Sequence, residues 1–225
     1  MLSRQSIIYV ITIVIYLTNS ACIKRSGRYE ASLADTLTEI YHSDQGIRAR
    51  YFDTADEFGW HADTTIKIGQ IMWHQDSLNL LFVDSLLHAR GWLGKEVIGQ
   101  RGNQTLFLVI QHANDSIRAR YLPLMRDAVK KGNAQIRDLA LLEDRVALAQ
   151  GRKQVYGSQI ESDEKGHTFV APMIEPDQVD KRRKAVGLNS MSENLKRFNM
   201  KWDAETYKKM LPQYEVWMEE MRSRQ

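Results

Sequence analysis

His112 is the residue whose type and position most favour chemistry in this sequence. It lies at the end of the most apolar segment of the chain, QTLFLVIQHA (104–113), with Gln111 before it and Asn114 two positions after it. A histidine that is partly withdrawn from water has a pKa that its neighbours can move, so His112 could act as a general base. The alternative is a core histidine whose two ring nitrogens are satisfied by carbonyl or carboxylate groups.

Asp144 is the acidic residue that could serve His112. The apolar residues Leu142 and Val146 stand on either side of it, which places Asp144 at the edge of a buried helix face. From there Asp144 could orient His112 through Nδ1, or it could form a buried ion pair with an arginine. Arg145 follows directly and could bind an anionic group.

Tyr156 and Gln159 form a polar cluster around a Gly-Ser pair, in a segment that alternates like a β-strand. These side chains could line a pocket, or they could be ordinary polar groups of a hairpin. The basic run at 181–184 is by default the solvated face of a helix. Its two arginines, Arg182 and Arg183, could also hold an anion.

The sequence gives little support for a metal site or for a catalytic nucleophile. It contains no His-Glu-x-x-His, P-loop or Gly-x-Ser-x-Gly pattern. Three His-x-Asp pairs occur, but residues two apart on a helix point to different faces, so chance is the simpler account. We therefore predict no metal and no cofactor.

The segments YHSDQGIRARY (41–51) and QHANDSIRARY (111–121) share Ile, Arg, Ala, Arg and Tyr in register. Their flanks differ in character, so we interpret the repeat as two helices with the same packing pattern rather than as a duplication. Ile and Tyr, four residues apart, would share a buried stripe, whereas Arg50 and Arg120 would point elsewhere. His42 is then predicted at the surface.

The N-terminus has the features of an export signal. Arg4 supplies positive charge, residues 7–17 form a run dominated by Ile, Val, Tyr and Leu, and Ser20 and Ala21 precede Cys22, the single cysteine of the chain. The run is shorter than the roughly 20 residues that span a bilayer, and it fits the apolar core of a secretory signal. It resembles a bacterial lipoprotein signal, in which the cysteine becomes the lipid-bearing first residue. An ordinary secretory signal is the alternative, and Asn19 departs from the aliphatic residue usual at its position in lipoproteins.

These features predict a signal peptide over 1–21, a tether over 22–29 that begins at the lipidated cysteine, and a mainly helical domain over 30–225. The mature protein would be exported to the periplasm or cell surface and held to the membrane by its lipid. Lys and Arg total 31 against 28 Asp and Glu, a net charge of +3, which argues against a dedicated nucleic-acid binder. An unknown small molecule or an envelope protein remains as a partner.

The hydrophobic periodicity predicts a mainly α fold, a single multi-helix domain with a small β-hairpin. Connections are expected over 53–66 and over the glycine-rich segment 91–103, with Asn103 capping the next helix. Helix is favoured over strand for 104–113. The hairpin should turn at 163–166, and Pro123 and Pro212 should kink or bend their helices. The predicted helices cover 33–51, 76–90, 104–113, 115–131, 134–150, 177–186, 190–199 and 203–222.

Short polar motifs occur in a fixed order: Asp44-Gln45 with Arg48, Gly91-Trp92, Gln111-His112-Ala113, Asp144-Arg145-Val146, Tyr156-Gly157-Ser158-Gln159, Arg182-Arg183 and Val186-Gly187-Leu188. This ordered set resembles an uncharacterised bacterial family known as domain of unknown function 6624, over about residues 33–188. Residues 189–225 would be a C-terminal helical extension. Asn114, Ser158 and Leu93 depart from the residues that the family favours. The resemblance implies kinship of fold and a shared polar site, with no activity attached, that includes Asp44, Gln45, Arg48, Trp92 and Gln111.

Two functions follow as alternatives. The first is a hydrolase or transferase acting on an anionic or polar envelope substrate. Its roles would fall to His112 as general base, Asp144 as the orienting group, Arg145 with Arg182 or Arg183 for the anion, and Tyr156 and Gln159 for the substrate. The second is a non-catalytic lipoprotein that binds a ligand or partner, in which the same polar residues form a structural hydrogen-bond network. An exposed apolar patch would then mark a partner surface. Trp202 and Trp217 could belong to it or simply pack onto the domain.

Overall fold

The computed structural model describes residues 28–163 and 166–224, and it is mainly α with a small antiparallel β-hairpin, as the sequence predicts. The predicted signal peptide and most of the tether lie outside the described residues. None of the helices in the described ranges is long and apolar enough to cross a membrane. The elements are α1 Ala31–Phe58, α2 Asp63–Arg90, α3 Lys95–His112, α4 Asp115–Lys130, α5 Ile136–Ala149, β1 Ile160–Ser162, β2 Thr168–Val170, α6 Val179–Ala185, α7 Met191–Leu195 and α8 Ala204–Arg222.

The largest core lies among the first five helices, and each helix contributes a fully enclosed side chain. Leu37 of α1, Val83 of α2, Ile110 of α3, Met125 of α4 and Leu142 of α5 all belong to it. Burying a side chain of this size contributes about 1.5–3 kcal/mol relative to leaving it exposed. The apolar face of each helix therefore fixes how it packs against the next one.

The segment predicted as a turn-rich connection over 53–66 is mostly helix, which corrects that prediction. α1 continues to Phe58 and α2 begins at Asp63, so that only residues 59–62 connect them. Gly59 ends α1 with a φ of 91°, and its carbonyl oxygen accepts a hydrogen bond of 2.8 Å from the Thr65 hydroxyl. The Asp and Thr residues that suggested a turn lie largely on exposed helix faces, where polarity costs little.

The glycine-rich segment 91–103 is likewise mostly helix rather than loop. α3 begins at Lys95 and is interrupted at Gly99, whose φ of 70° is outside the helical range. Gly102 permits close packing of α3 on α1, because a Cβ there would stand 3.2 Å from Leu37 Cδ1. The prediction of helix over 104–113 is confirmed up to His112.

Asn103 does not cap a helix, contrary to the prediction, because it lies inside α3. Its side chain is buried, and its Nδ2 donates hydrogen bonds to the carbonyl oxygens of Leu93 at 2.7 Å and Asn133 at 2.6 Å. Asn103 thereby ties the α2–α3 and α4–α5 connections to the middle of the core.

The prolines do not end their helices. Pro123 lies within α4 and Pro212 within α8, and both helices continue through them. The β-hairpin pairs Ile160 with Val170, in agreement with the predicted turn between its strands.

The two C-terminal tryptophans pack against the domain. Trp202 lies against the core around Tyr207, and Trp217 lies against Phe169 with ring centroids 5.1 Å apart. The exposed apolar surface of the protein therefore has to be sought elsewhere, and much of it lies on α2.

We predict that Asn103→Ala lowers the free energy of unfolding by about 2 kcal/mol, because the carbonyl oxygens of Leu93 and Asn133 lose a buried donor. Urea denaturation would measure the change. Asn189→Ala, at an exposed position, is the matched control and should change stability by less than about 0.5 kcal/mol. Equal effects of the two substitutions would contradict this role for Asn103.

Candidate functional site

Asp44 is the centre of a polar cluster where α1, α2 and α3 meet. Its side chain is only 1% exposed. Oδ1 accepts hydrogen bonds from Arg48 Nη1 at 2.9 Å and from His112 Nδ1 at 3.0 Å. Oδ2 accepts one from Gln45 Nε2 at 2.6 Å. The structure thus brings together Asp44, Gln45, Arg48 and His112, which the sequence places in two distant segments.

Arg48 extends the cluster to α2. Its Nη2 donates to both carboxylate oxygens of Asp76, at 2.9 and 2.8 Å, while Nη1 holds Asp44. One guanidinium therefore joins two carboxylates on neighbouring helices. Charge-assisted bonds of this kind are about twice as strong as neutral ones and fix direction as well as distance.

The electrostatics of the cluster keep Asp44 ionised. Burial alone would raise its pKa, but the hydrogen bond from His112 and the charges of His112 and Arg48 outweigh burial and hold the pKa below its usual value of 3.8. An ionised carboxylate that accepts from Nδ1 fixes the ring of His112 and places the lone pair of a neutral imidazole on Nε2.

Nε2 of His112 faces solvent. The side chain is 18% exposed. Within the described part of the chain no hydrogen bond reaches Nε2, and it is not among the enclosed polar atoms that lack a partner. Nδ1 of His112 is therefore held by Asp44, and Nε2 is available to a substrate. A general base requires this arrangement.

Arg118 and Arg145 lie beside this end of α3. Arg118 Nη1 donates to the Gln111 carbonyl oxygen at 3.2 Å, and its Nη2 pairs with Asp115. The Nε atoms of Arg118 and Arg145 are both enclosed, and neither has a hydrogen-bond partner among the described residues. Burial lowers the pKa of Arg145 below its usual 12.5, and the positive charges of Arg118 and Arg48 act in the same direction. The charges of Glu161 and Asp115 oppose this effect, so the three arginines lie near one another among carboxylates.

Arg118 and Arg145 line a cleft with a volume of about 180 Å³. Gln159 and Glu161 contribute polar groups to it, and burial raises the pKa of Glu161 while the charge of Arg145 opposes this. Its other walls include the apolar side chains of Leu148, Met218 and Met221. His112 does not line this cleft, so the cleft stands beside the histidine rather than over it.

Asp144 does not orient His112, which corrects the sequence prediction. Its carboxylate is fully buried and accepts hydrogen bonds from the backbone N–H groups of Val155, Tyr156 and Ser158 at 2.7, 3.0 and 3.0 Å. Burial raises the pKa of Asp144, and these N–H groups oppose the rise. Within residues 28–163 and 166–224 it does not form the alternative ion pair with an arginine either. Its role is to anchor the loop after α5.

Arg182 and Arg183 bind the same loop from the other side, and Arg182 Nη1, which has no hydrogen-bond partner among the described residues, is enclosed and lies 3.5 Å from Glu175 Oε2. Arg182 Nε donates to the Val155 carbonyl oxygen at 2.8 Å, and Arg183 Nη1 donates to that of Tyr156 at 2.7 Å. Arg183 is only 2% exposed. The prediction that either residue holds an anionic group is therefore not supported by their geometry.

The remaining predicted site residues fall in different places. Trp92 is buried in the main core. Tyr156 is half-buried, and burial raises its pKa. Gln159 donates from Nε2 to the Ser158 hydroxyl at 2.8 Å and lines the cleft beside Arg145. Gln111 has an enclosed Oε1 that accepts no hydrogen bond from the described residues.

A second cleft, between α3 and α5, has a volume of about 490 Å³. Gln111 and Asp138 both line it. Burial raises the pKa of Asp138 from 3.8 to about 6, against a weak opposing effect of the Arg137 charge. This carboxyl group is therefore partly protonated near neutral pH.

Sequence reasoning missed Asp76 and Arg118. Asp76 belongs to a His-x-Asp pair that was attributed to chance. Arg118 occupies the same place in its repeat as Arg48 does in the first copy, and both arginines lie at the site. The packing interpretation of the repeat uses Ile, Tyr and the outward Arg50 and Arg120. The first arginine of each copy, Arg48 or Arg118, is the residue that would have indicated the site.

The chain belongs to the Family of unknown function (DUF6624), which it matches over residues 31–208. The family resemblance of the polar motifs is thereby confirmed. No curated protein and no solved structure matches the chain. In the ranges 28–163 and 166–224, no three His, Cys, Asp or Glu side chains are grouped so that they could hold a metal ion.

We predict that Asp138→Asn stabilises the protein above pH 7 by about 2 kcal/mol. The folded state holds its proton up to about pH 6, whereas the unfolded chain releases it near 3.8, so the native carboxylate lowers stability progressively as the pH rises through this interval. The full rise in the pKa of Asp138, from 3.8 to about 6, is equivalent to about 3 kcal/mol. Asp138 lies in the first turn of α5, where the helix dipole stabilises its carboxylate and makes the expected gain smaller.

The measurement is the free energy of unfolding at several pH values. The gain from Asp138→Asn should vanish below about pH 3, where Asp138 is neutral in both states. Asp177→Asn, at an exposed position, serves as the control. A gain that is independent of pH would be inconsistent with the buried carboxylate.

Proposed function

We propose that the protein is an exported, lipid-anchored hydrolase or transferase that acts on an anionic or polar envelope substrate with His112 as its general base. The observation that carries the proposal is the bond between buried Asp44 and His112 Nδ1, which leaves Nε2 open. Nε2 would accept the proton of a water or hydroxyl as its oxygen attacks, and would return a proton to the leaving group.

Asp44 supports this role better than a solvent-exposed carboxylate would. It is held by Arg48 and Gln45 as well as by His112, so the ring is fixed by a partner that cannot itself reorient. Positioning of this kind reduces the entropy that the reaction must lose, because the base already stands in its working direction. Asp44 is thus a positioning residue, and His112 is the catalytic residue.

The anion-binding part of the proposal rests on Arg145 and Arg118. Both residues line the adjoining cleft. A phosphate or carboxylate group in that cleft would accept hydrogen bonds from their guanidinium groups. Asp115 and Glu161 limit the net charge there, which favours one anionic group over a polyanion.

The non-catalytic alternative draws support from a specific observation. Three residues of the family motifs bind backbone groups of one loop, namely Asp144, Arg182 and Arg183. These three residues therefore have a structural role. Asp44 would have a purely structural role as well only if His112 had one. The exposure of Nε2 is the feature that favours catalysis.

We expect the wild-type protein to cleave at least one of three probes: p-nitrophenyl phosphate, bis(p-nitrophenyl) phosphate or p-nitrophenyl acetate. His112→Ala should lower kcat/KM by about 100-fold or more, since general base catalysis typically contributes roughly 10²–10⁴-fold. Arg145→Gln should act mainly through KM. His42→Ala, at an exposed position on α1, is the matched control and should retain full activity.

Equal activity of His112→Ala and the wild type would exclude the proposed base. If no probe is cleaved but orthophosphate binds and Arg145→Gln abolishes that binding, the protein is a binding module. Asp44→Asn should shift the pH–rate profile as well as lower kcat, whereas a purely structural role would lower the amount of folded protein and leave the profile unchanged.

The membrane anchor can be tested separately. Cys22→Ser should move the protein from the membrane fraction to the soluble fraction of expressing cells, because the thiol is the proposed attachment point of the lipid. Ser85→Ala, at an exposed position on α2, should leave the distribution unchanged. Retention of the Cys22→Ser protein in the membrane fraction would contradict anchoring through this residue.

A further inference from the structure

The outward side of α2 carries an unusual amount of exposed apolar surface. Six large side chains between residues 66 and 82 are between 37% and 70% exposed, with Leu81 and Trp73 the most open. We call this set the α2 apolar face; it consists of Ile66, Ile71, Trp73, Leu78, Leu81 and Phe82.

The six residues share one half of the helix. At about 100° per residue, Ile66, Trp73 and Leu81 form one row, and Ile71, Leu78 and Phe82 form a second row beside it. The opposite half of α2 faces the domain, where Asp76 binds Arg48 and Val83 enters the core. The two rows therefore run along the outward side of α2, with Lys67, Gln70 and His74 between them at about 100°, 40° and 80° from Ile66.

The face is almost free of charge. Among residues 66–82 only Lys67 and Asp76 are ionised, and Asp76 is turned inward to Arg48. The exposed positions between the apolar side chains are filled by Gln70, His74 and Ser77. A membrane surface rich in anionic lipid would be matched by several basic residues, whereas this face offers one lysine at its end.

The extent of the face matches what a dimer needs. Six partly exposed side chains of this size present on the order of 600 Å², so pairing two copies would cover about 1,200 Å², which is within the range of stable protein interfaces. Apolar surface of a few hundred Å² often marks an interaction site. A protein interface is on the whole only about as apolar as the rest of the surface, so the polar strip between the two rows is compatible with pairing.

We propose that the α2 apolar face is a homodimer interface, in which two copies of the chain pack their α2 helices antiparallel about a two-fold axis near residue 74. Ile66 of each copy then approaches Leu81 of the other, Ile71 approaches Leu78, and Trp73 and His74 lie close to the axis. The two Lys67 ammonium groups stand about 20 Å apart at 1.5 Å per residue, beyond the distance at which physiological salt screens their repulsion. The same patch on both subunits makes a closed pair, as two-fold symmetry requires.

Analytical ultracentrifugation of the full-length protein in mild detergent, over roughly a hundredfold range of concentration, tests the proposal. The wild type should be a dimer. Trp73→Glu and Leu81→Glu should raise the dissociation constant by at least about 100-fold, because each places a charge opposite an apolar side chain. Val216→Glu is the matched control, since Val216 is 50% exposed on α8; it should remain dimeric. Circular dichroism should show all three variants folded, as each site is largely exposed.

A cysteine placed near the axis gives an independent readout. In a Cys22→Ser background, His74→Cys should form a disulfide-linked dimer on mild oxidation, because residue 74 is exposed and lies at the axis, opposite its counterpart in the other copy. Ser162→Cys, exposed on β1, should not.

Three results would overturn the homodimer. The first is a monomer at every concentration. The second is a dimer that Trp73→Glu and Leu81→Glu leave intact, which would place the contact elsewhere in the chain. The third is a monomer whose binding to phosphatidylcholine vesicles is lost in the same two variants, which would assign the face to a lipid surface.

Discussion

A buried carboxylate that must stay ionised governs the arrangement of the first three helices. Moving a carboxylate out of water costs several kcal/mol, and that cost is offset only when partners surround it. Asp44 receives donors from its own helix through Gln45 and Arg48 and from α3 through His112. Arg48 in turn requires Asp76 of α2. The positions of α1, α2 and α3 are therefore linked through one charge, and the same link sets the direction of the imidazole ring.

The polar residues of the family motifs form two separate hydrogen-bond networks, one around Asp144 and one around Asp44. Around Asp144 the partners are mainly backbone N–H groups, with the Ser158 side chain in addition, and the carboxylate is fully enclosed. Arg182 and Arg183 complete that network from α6, so it holds a loop in a shape that lacks regular secondary structure. Around Asp44 the partners are side chains, and the network ends at His112, whose Nε2 is open. The first network stabilises the fold, and the second ends at an imidazole nitrogen that has no hydrogen-bond partner among the described residues.

The helical class, the hairpin and most C-terminal elements could be predicted because apolar periodicity depends only on local sequence. The boundaries failed where polar or glycine residues lie inside helices. Residues 53–58 and 63–66 contain turn-forming residue types, yet they are helical because tertiary packing of α1 on α2 continues past them. Asn103 has the type of a helix cap but serves two carbonyl groups distant in sequence. Propensity is a weak prior, and packing overrides it.

The sequence by itself determined that His112 ends an apolar helix, that Asp44 and Arg48 share a face one turn apart, and that the chain belongs with one family of polar motifs. Only the tertiary structure decided which carboxylate serves His112. Asp44 lies 68 positions away in sequence and Asp144 only 32, so sequence separation favoured the wrong partner. Hydrogen bonds act over about 3 Å, and nothing local to either carboxylate specifies which one helix packing brings to that distance.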